Sequence, residues 1–307
     1  MSRVLESVAP VLASLLLGCV PGPEPTFDRA SDPTIAPPAG ATDMLMIVLD
    51  TTNRAVVAEA MPVAQAFLDG GLSWDRAVSP ANETLPSVGS IMQDRFSETD
   101  DFAPGENSTA ETTLAEKLKA AGYSTLLVSA NEVLDHEVFA RGNDVVRVQP
   151  RGSSVETADA DAVAAFVEAW EALPSPRFGW LQLLAGHDYL AQDEDVPWPP
   201  QGGAALDQAW AWYAADASAT DALLPQIFDL LPAEDGLTVL TADHGELFQN
   251  RGPLMLGGPD TFGHGKGNSP MEIEVPLGMR GPGVVPGVRG KPAGTMDLHR
   301  TFLAAAG

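Results

Sequence analysis

Short apolar segments alternate along the chain with segments of helical spacing, and this alternation constrains the fold more than any other feature. The apolar runs typical of buried strands are Met44–Leu49 (MLMIVL), Tyr123–Ser129 (YSTLLVS), Phe178–Leu184 (FGWLQLL) and Leu237–Thr241 (LTVLT). Helices are predicted between them at 111–121, at 158–173 and from about 206 to 231. Such alternation predicts an α/β fold with a mostly parallel central sheet and helices on both faces.

Two of the predicted strands end in an acidic residue. Asp50 follows the first strand, and Asp243 follows the fourth with His244 directly after it. Ligand sites of parallel sheets gather beyond the carboxyl ends of the strands, so both acids are expected at one edge. Carboxylate oxygens and imidazole nitrogens bind divalent cations, and Gly245 allows the backbone to bend so that both neighbours face one site. The alternative is a simple turn or helix cap, because Asp is common in both.

The segment Asn82–Ser87 (NETLPS) predicts the start of a helix, with Thr or Ser as the cap and Pro86 in the first turn. The Thr84 hydroxyl would then lie near the positive end of the helix, which stabilises an alkoxide or an anionic ester. A metal ion or a base that lowers the pKa of such a hydroxyl makes it a nucleophile. The segment therefore offers a candidate catalytic residue.

Histidines supply further candidates. His264 and Lys266 lie on the Gly-rich segment Gly263–Gly267 (GHGKG), whose backbone can approach an oxyanion closely. A mobile surface loop is the alternative for this segment. His187 lies just past the third predicted strand, where a structural role is the alternative.

The N-terminal segment predicts export and a lipid anchor. Ser7–Gly18 is an apolar run too short to cross a bilayer and suited to the core of a signal peptide. It leads into Cys19 through Leu-Leu-Gly, which resembles a bacterial lipobox. We expect a signal peptide at 1–19 with lipidation at Cys19, with an ordinary cleaved signal or an uncleaved anchor as alternatives. A Pro-rich tether is predicted at 20–41 and the folded domain at 42–307. The predicted location is the bacterial cell envelope, facing the periplasm or at the outer membrane.

The charge of the chain excludes a nucleic-acid partner, and its cysteine content excludes an internal disulfide. The chain has 42 acidic residues against 17 Lys and Arg, a formal net charge of -25. Binding of a nucleic acid requires clustered basic residues, so such a partner is excluded. Long-range attraction of an anionic substrate is also unfavourable, so a local charge such as a bound metal ion has to supply it. Cys19 is the single cysteine, which excludes an internal disulfide.

Several segments resemble, in order, the sulfatase-like branch of the alkaline phosphatase superfamily. They are MLMIVLDTTNRA, RAVSPANETLPSVGSIM, TLAEKLKAAGYSTLLVS, YAADASATDALLPQIFDLL, LTVLTADHGE and GHGKGNSPMEIEVPLGMRGPGV, and they run from about residue 42 to 307. The resemblance implies a hydrolase of sulfate or phosphate esters that acts on a small-molecule, glycan or lipid ester. A serine hydrolase of the α/β type is disfavoured, because the sequence has no G-x-S-x-G motif.

The resemblance also implies roles for individual residues. One divalent cation (Ca, Mg, Mn or Zn) would be held by Asp50, Asp243, His244 and Thr84. Thr84 would also be the nucleophile. His264 and His187 would contact the sulfuryl or phosphoryl oxygens, with His264 as the acid for the leaving group. Lys266 would lie near the bound substrate.

The sequence departs from the family pattern at the catalytic loop. Thr84 stands where sulfatases carry the Cys or Ser that matures to formylglycine, Val88 replaces an Arg, and Thr51 replaces a second acid. The family's C-terminal subdomain is predicted to be absent, which would leave the site open. Two alternatives follow. The chain resembles phosphoglycerol or phosphoethanolamine transferases, which pass through a phosphothreonine, or it is a lipid-tethered binding module without catalysis.

Overall fold

The computed structural model of the protein describes residues 42–102, 111–149, 157–187, 203–248, 262–265, 267 and 269–307. The predicted signal peptide at 1–19 with Cys19, the predicted tether at 20–41 and Lys266 lie outside the described residues. None of the helices within the described ranges combines the length and the apolar character needed to span a bilayer.

Strands of three sheets are found along the described chain. They are β1 (Asp43–Leu49), β2 (Leu72–Trp74), β3 (Ala77–Val78), β4 (Ser124–Ser129), β5 (Val145–Val148), β6 (Arg177–Leu183), β7 (Gly236–Ala242), β8 (Leu247–Phe248), β9 (Phe262–Gly263), β10 (Glu274–Val275), β11 (Leu277–Arg280), β12 (Gly287–Arg289) and β13 (Ala293–Gly294). Each of the four strands predicted from the sequence is found, with both ends within one residue of the prediction.

The central sheet has eight strands in the order β12-β2-β11-β7-β1-β6-β4-β5. The five strands from β7 to β5 are mutually parallel, and β11 is antiparallel to both β7 and β2. Two small sheets, β10-β3-β13 and β8-β9, lie apart from it. Helices flank the central sheet. The predicted α/β fold with a mostly parallel sheet is confirmed.

Strand β1 forms the middle of the core. Its residues pair with Phe178–Leu183 of β6 on one side and with Leu237–Ala242 of β7 on the other. Every side chain from Met44 to Leu49 is fully buried. A strand with neighbours on both edges and helices over both faces excludes water from every side chain, which explains the uninterrupted apolar run.

The helix predicted at 158–173 is found at Ala158–Ala172, and the one predicted at 111–121 is found at Leu114–Ala120, and two further differences from the predictions are described below. The helices are α1 (Arg54–Ala60), α2 (Pro62–Gly70), α3 (Thr84–Gln93), α4 (Leu114–Ala120), α5 (Glu137–Ala140), α6 (Ala158–Ala172), α7 (Gly203–Asp221), α8 (Leu224–Phe228), α9 (Pro270–Ile273) and α10 (Leu298–Ala306). Short 3-10 helices are found at Thr99–Phe102, Glu132–Leu134 and Thr295–Asp297.

The first difference is the long helix predicted from about 206 to 231, which is two helices, α7 and α8. Pro225 lies in the first turn of α8. Proline has no backbone N–H and cannot continue a helix that is already under way, whereas it fits a first turn. The break therefore follows from a residue that the helical spacing alone did not take into account.

The second difference is the start of α3, where Thr or Ser was predicted as the cap. The cap position is Glu83, whose side chain forms no capping hydrogen bond, and Thr84 is the first helical residue. The Thr84 hydroxyl lies instead beside Asp50 and His244. Its placement at the positive end of a helix, which the sequence predicted, is confirmed.

Candidate metal and catalytic site

Two adjacent parallel strands bring the first candidate ligands together. Leu49 of β1 pairs with Ala242 of β7, so Asp50 and Asp243 leave the sheet side by side. One ligand atom from each of Asp50, Asp243 and His244 lies within 4.8 Å of the others. All three side chains are fully buried. The sequence placed these residues at one edge of the sheet, and the structure brings them into one cluster.

The imidazole of His244 is oriented by its own backbone. Its Nδ1 lies 2.9 Å from the carbonyl oxygen of Gly245, a contact in which Nδ1–H donates. The ring nitrogen that carries no hydrogen is then Nε2, which lies 3.6 Å from Oδ1 of Asp50. Fixing one ring nitrogen by a hydrogen bond so that the other can bind a metal is a recurring arrangement in metal sites.

At Gly245 the chain bends away from Asp243 and His244. The Gly245 N–H donates to the carbonyl oxygen of Glu272 at 2.6 Å. A Cβ at this position would lie 2.1 Å from the carbonyl oxygen of Met271 and 3.0 Å from Cβ of Asn53. Any side chain would push these segments apart, so the close approach requires glycine.

Two amides that the sequence analysis did not single out hold the carboxylates. Gln182 on β6 donates from Nε2 to Oδ2 of Asp243 at 3.0 Å. Asn131, two residues after β4, donates from Nδ2 to Oδ2 of Asp50 at 2.5 Å. Both are buried at the same edge of the sheet as the aspartates. A signal was available for Gln182, since it is a lone polar residue inside an apolar strand, and such residues require a partner.

The electrostatics of the cluster favour a cation. Burial raises the pKa of Asp50, and the charge of Asp243 raises it further. Burial also raises the pKa of Asp243 to about 6 and lowers that of His244. Within the described ranges no Lys or Arg forms an ion pair with either aspartate. Two buried carboxylates and a neutral imidazole are a donor set that fits a divalent metal ion.

Thr84 completes the cluster from a different element. Its Oγ1 lies 3.4 Å from each carboxylate oxygen of Asp50 and 3.3 Å from Nε2 of His244. One turn further along α3, the Ser87 hydroxyl donates to the backbone carbonyl of Asp243 at 2.5 Å. This hydrogen bond holds the start of α3 against the loop that carries Asp243, and so keeps the Thr84 hydroxyl beside Asp50 and His244.

His264 and His187 lie beside the cluster of Asp50, Asp243 and His244. The His264 ring centroid is 4.8 Å from that of His244 and 5.5 Å from that of His187. The carboxylate of Glu246, which is outside the predicted set of site residues, lies 2.7 Å from Nδ1 of His264. Burial by itself lowers the pKa of His264, but the hydrogen bond and charge of Glu246 outweigh this effect and leave the pKa raised. Glu246 thus favours a protonated His264.

The His264 loop rests on the residues that precede Thr84. The Gly265 N–H donates to the carbonyl oxygen of Asn82 at 3.1 Å, and Asn82 Nδ2 donates to the carbonyl of Gly267 at 2.7 Å. Gly265 has φ 68°, and a Cβ there would lie 2.6 Å from Oε1 of Glu83. The two loops are therefore joined by one backbone–backbone hydrogen bond and one hydrogen bond from the Asn82 side chain.

Two positions that depart from the family pattern have structural reasons. Val88 is fully buried in the hydrophobic core, in contact with apolar side chains. Thr51 acts through its backbone: its N–H lies 3.3 Å from Oδ1 of Asp243. The family pattern has a second acidic side chain at this position. In this chain the position instead supplies the backbone N–H of Thr51, which contacts the carboxylate of Asp243.

Known proteins resemble this chain in family and in fold. A family model described as Sulfatase matches residues 43–307. No curated protein matches the chain in sequence. The three similar solved structures described next are 14–16% identical to the chain, and their likeness to it concerns the fold.

Three of these structures are of bacterial proteins. The C-terminal periplasmic domain of EcEptC from Escherichia coli, in complex with Zn, is 16% identical, with 87% of this chain and 82% of that chain covered and a TM-score of 0.64. The phosphonate monoester hydrolase of Agrobacterium radiobacter is 15% identical, with 86% and 73% covered and a TM-score of 0.65. The lipoteichoic acid synthase LtaP from Listeria monocytogenes is 14% identical, with 88% and 72% covered and a TM-score of 0.62. Because the family model matches residues 43–307, which are most of this chain, the chain belongs to the Sulfatase family.

Proposed function

We propose that the protein is a metal-dependent hydrolase or transferase of sulfate or phosphate esters. In this proposal Asp50, Asp243, His244 and Thr84 hold one divalent cation, and Thr84 is the nucleophile. The observation that carries it is the position of Thr84 Oγ1, 3.3 Å from Nε2 of His244 and 3.4 Å from both oxygens of Asp50. A hydroxyl at a helix start that meets two candidate ligands is placed for nucleophilic attack.

Each residue of the site then has its own role in the proposed reaction. When bound, the cation would lower the pKa of the Thr84 hydroxyl and draw charge from the ester oxygens. Thr84 Oγ1, after releasing its proton to water, forms a bond to sulfur or phosphorus while the bond to the leaving oxygen breaks. His264 gives the leaving oxygen a proton, and Glu246 keeps His264 charged for this step. His187 contacts the remaining oxygens. Water or an acceptor hydroxyl then cleaves the threonine ester.

Phosphorus chemistry is favoured over sulfate hydrolysis by the nucleophile. Threonine does not mature to formylglycine, the group on which sulfatases depend. Among the similar structures, one is named as a phosphonate monoester hydrolase and one as a lipoteichoic acid synthase. A transferase that passes the group from Thr84 to an acceptor hydroxyl, as in the phosphoglycerol and phosphoethanolamine transferases, is the second candidate. A small-molecule, glycan or lipid ester is the proposed substrate.

The proposed location is the cell envelope, with a lipid at Cys19 as the membrane attachment. Support comes from the lipobox-like Leu-Leu-Gly-Cys segment and from a similar structure named as a periplasmic domain. Zn is favoured among Ca, Mg, Mn and Zn by the name of that structure, which includes Zn, and by the imidazole in the donor set. A binding module without catalysis is the competing proposal, and it leaves the contacts of Thr84 unexplained.

The test is turnover of an aryl sulfate, a phosphomonoester and a phosphodiester by protein treated with a chelator and resupplied with each cation. Thr84→Ala is expected to abolish turnover. The matched control is Thr301→Ala, which removes the same atoms from a half-buried position on α10 and is expected to keep full activity. Mass spectrometry of Thr84 after rapid quenching should detect the covalent ester. Turnover that persists in Thr84→Ala would overturn the nucleophile, and no turnover of any ester would favour the binding module.

A further inference from the structure

Two backbone turns beside the site are strained. Among the described residues, the non-glycine residues with positive φ are Thr51, Asp94 and Ala185. Thr51 (φ 51°) comes two residues after β1, and Ala185 (φ 49°) two residues after the neighbouring strand β6. Left-handed backbone is unfavourable for a β-branched residue such as Thr and persists only where surrounding contacts enforce it. Contacts with other parts of the chain must therefore hold Thr51 and Ala185 in this backbone conformation.

The side chain of Tyr213, on α7, contacts both turns. Its hydroxyl donates to the carbonyl oxygen of Thr51 at 2.7 Å and accepts from the N–H of Asn53 at 3.1 Å. Its ring lies against the second turn, since a Cβ at Gly186 would be 2.3 Å from the ring. Tyr213 is fully buried, and burial raises its pKa well above the usual range, so the phenol keeps its proton.

The first of these turns connects the two candidate metal-binding aspartates. Thr51 directly follows Asp50, and its N–H lies 3.3 Å from Oδ1 of Asp243. Rotation of the Thr51 peptide would therefore remove the N–H donor from the carboxylate of Asp243. It would also turn the backbone that carries Asp50. The hydroxyl of Tyr213 bridges Thr51 and Asn53 and opposes that rotation.

We propose that Tyr213 is a positioning residue for the metal site, and that its hydroxyl, by holding the Thr51 turn, sets the affinity for the divalent cation. The inference rests on the metal site of the proposed function. Loss of a group that orients metal ligands lowers metal affinity about 10–100-fold in known sites. Both hydrogen bonds described above for the hydroxyl go to backbone atoms of the Thr51 turn, so its effect on the cation is expected to pass through that turn.

The experiment is calorimetric titration of chelator-treated protein with Zn²⁺ and with Mn²⁺, for the wild type, Tyr213→Phe and Tyr123→Phe. The Phe variants keep the ring and lose only the hydroxyl. Tyr123 is a buried tyrosine just before β4, at the opposite edge of the sheet from the site, and is the matched control. We expect affinity to fall about tenfold or more in Tyr213→Phe alone. We expect the metal-free melting temperatures of the two variants to be similar.

A rescue separates positioning from a general loss of stability. Glycine adopts φ near 51° without strain, so adding Thr51→Gly to Tyr213→Phe should recover metal affinity. Excess cation should likewise restore turnover in Tyr213→Phe. If the wild type binds the cation and Tyr213→Phe binds it equally well, the inference fails while the proposed function stands. If the wild type binds no divalent cation, both fail. Loss of the cooperative melt in Tyr213→Phe would also overturn the inference, because the hydroxyl would then serve folding.

Discussion

The Glu246 carboxylate lies 2.7 Å from Nδ1 of His264, and only 3% of the Glu246 side chain is exposed. Glu246 is two residues from His244 in the sequence, whereas His264 comes from the loop after β9. Through this contact between a buried acid and a half-buried imidazole, the loop after β7 raises the pKa of the proposed leaving-group acid.

Glu246→Gln should shift the basic limb of the pH profile of kcat/KM to lower pH. Glu246 raises the pKa of His264, and a general acid loses activity as the pH rises through its pKa. Glutamine keeps an acceptor for Nδ1–H and loses the charge. Each pKa unit lost would lower kcat/KM about tenfold at alkaline pH. The control is Glu274→Gln, which breaks a surface ion pair with Arg76 and should leave the profile unchanged. An unchanged profile in Glu246→Gln would exclude His264 as that acid.

Without metal, the protein should become less stable as the pH rises from about 4 to above 6. Burial raises the pKa of Asp243 from 3.8 to about 6, so over this range the folded state binds more protons than the unfolded state. Ionisation of Asp243 in the metal-free site then costs roughly 3 kcal/mol. Denaturant unfolding at several pH values measures it, with Asp243→Asn as the reference for all other titrating groups. Equal pH dependence in the two proteins would contradict the prediction, and added cation should abolish the difference.

Gly245→Ala should destabilise the protein and weaken metal binding. Its Cβ would lie 2.1 Å from the backbone oxygen of Met271, which a rotamer change cannot relieve. Forcing extra volume into a packed site costs about 1–3 kcal/mol. The control is Gly290→Ala, where a Cβ meets nothing within 4 Å and should change stability by less than about 0.5 kcal/mol. Thermal unfolding and metal titration of both variants test this, and equal behaviour would show that the loop relaxes freely.

Asp159→Ala should weaken substrate binding through the His187 loop. Asp159, at the start of α6, accepts from the N–H groups of Leu184 at 2.7 Å and Ala185 at 3.1 Å. Losing it leaves buried donors without their acceptor, at a cost of about 1–3 kcal/mol, and frees the loop that carries His187. We expect KM to rise more than kcat falls.

The matched control for Asp159→Ala is Asp161→Ala. Asp161 is an exposed acid in the same first turn of α6, so both variants remove the same charge from the helix start. Asp161→Ala should leave the kinetics unchanged. A similar KM in the two variants would show that His187 does not contact the substrate.

The central strands and the ligand cluster could be predicted from sequence because each depends on local patterns. An apolar run that ends in Asp50 or Asp243 marks a buried strand and its carboxyl end, wherever the strand lies in the sheet. The parallel arrangement then places residues from distant parts of the chain at one edge. The Thr-Leu-Pro segment at Thr84 likewise marks a helix start, although the cap is Glu83 and the predicted long helix is broken at Pro225.

Only the tertiary structure decided which groups orient the candidate ligands. Glu246 on His264, Gln182 on Asp243 and Tyr213 on Thr51 are contacts between residues distant in sequence. No local pattern predicts such partners, because hydrogen-bond geometry depends on how the helices and loops pack against the sheet. The sequence by itself determined four central strands, their burial and the chemical groups at their ends. Packing decided the distances between those groups, and these distances set their charges and their ability to hold a cation.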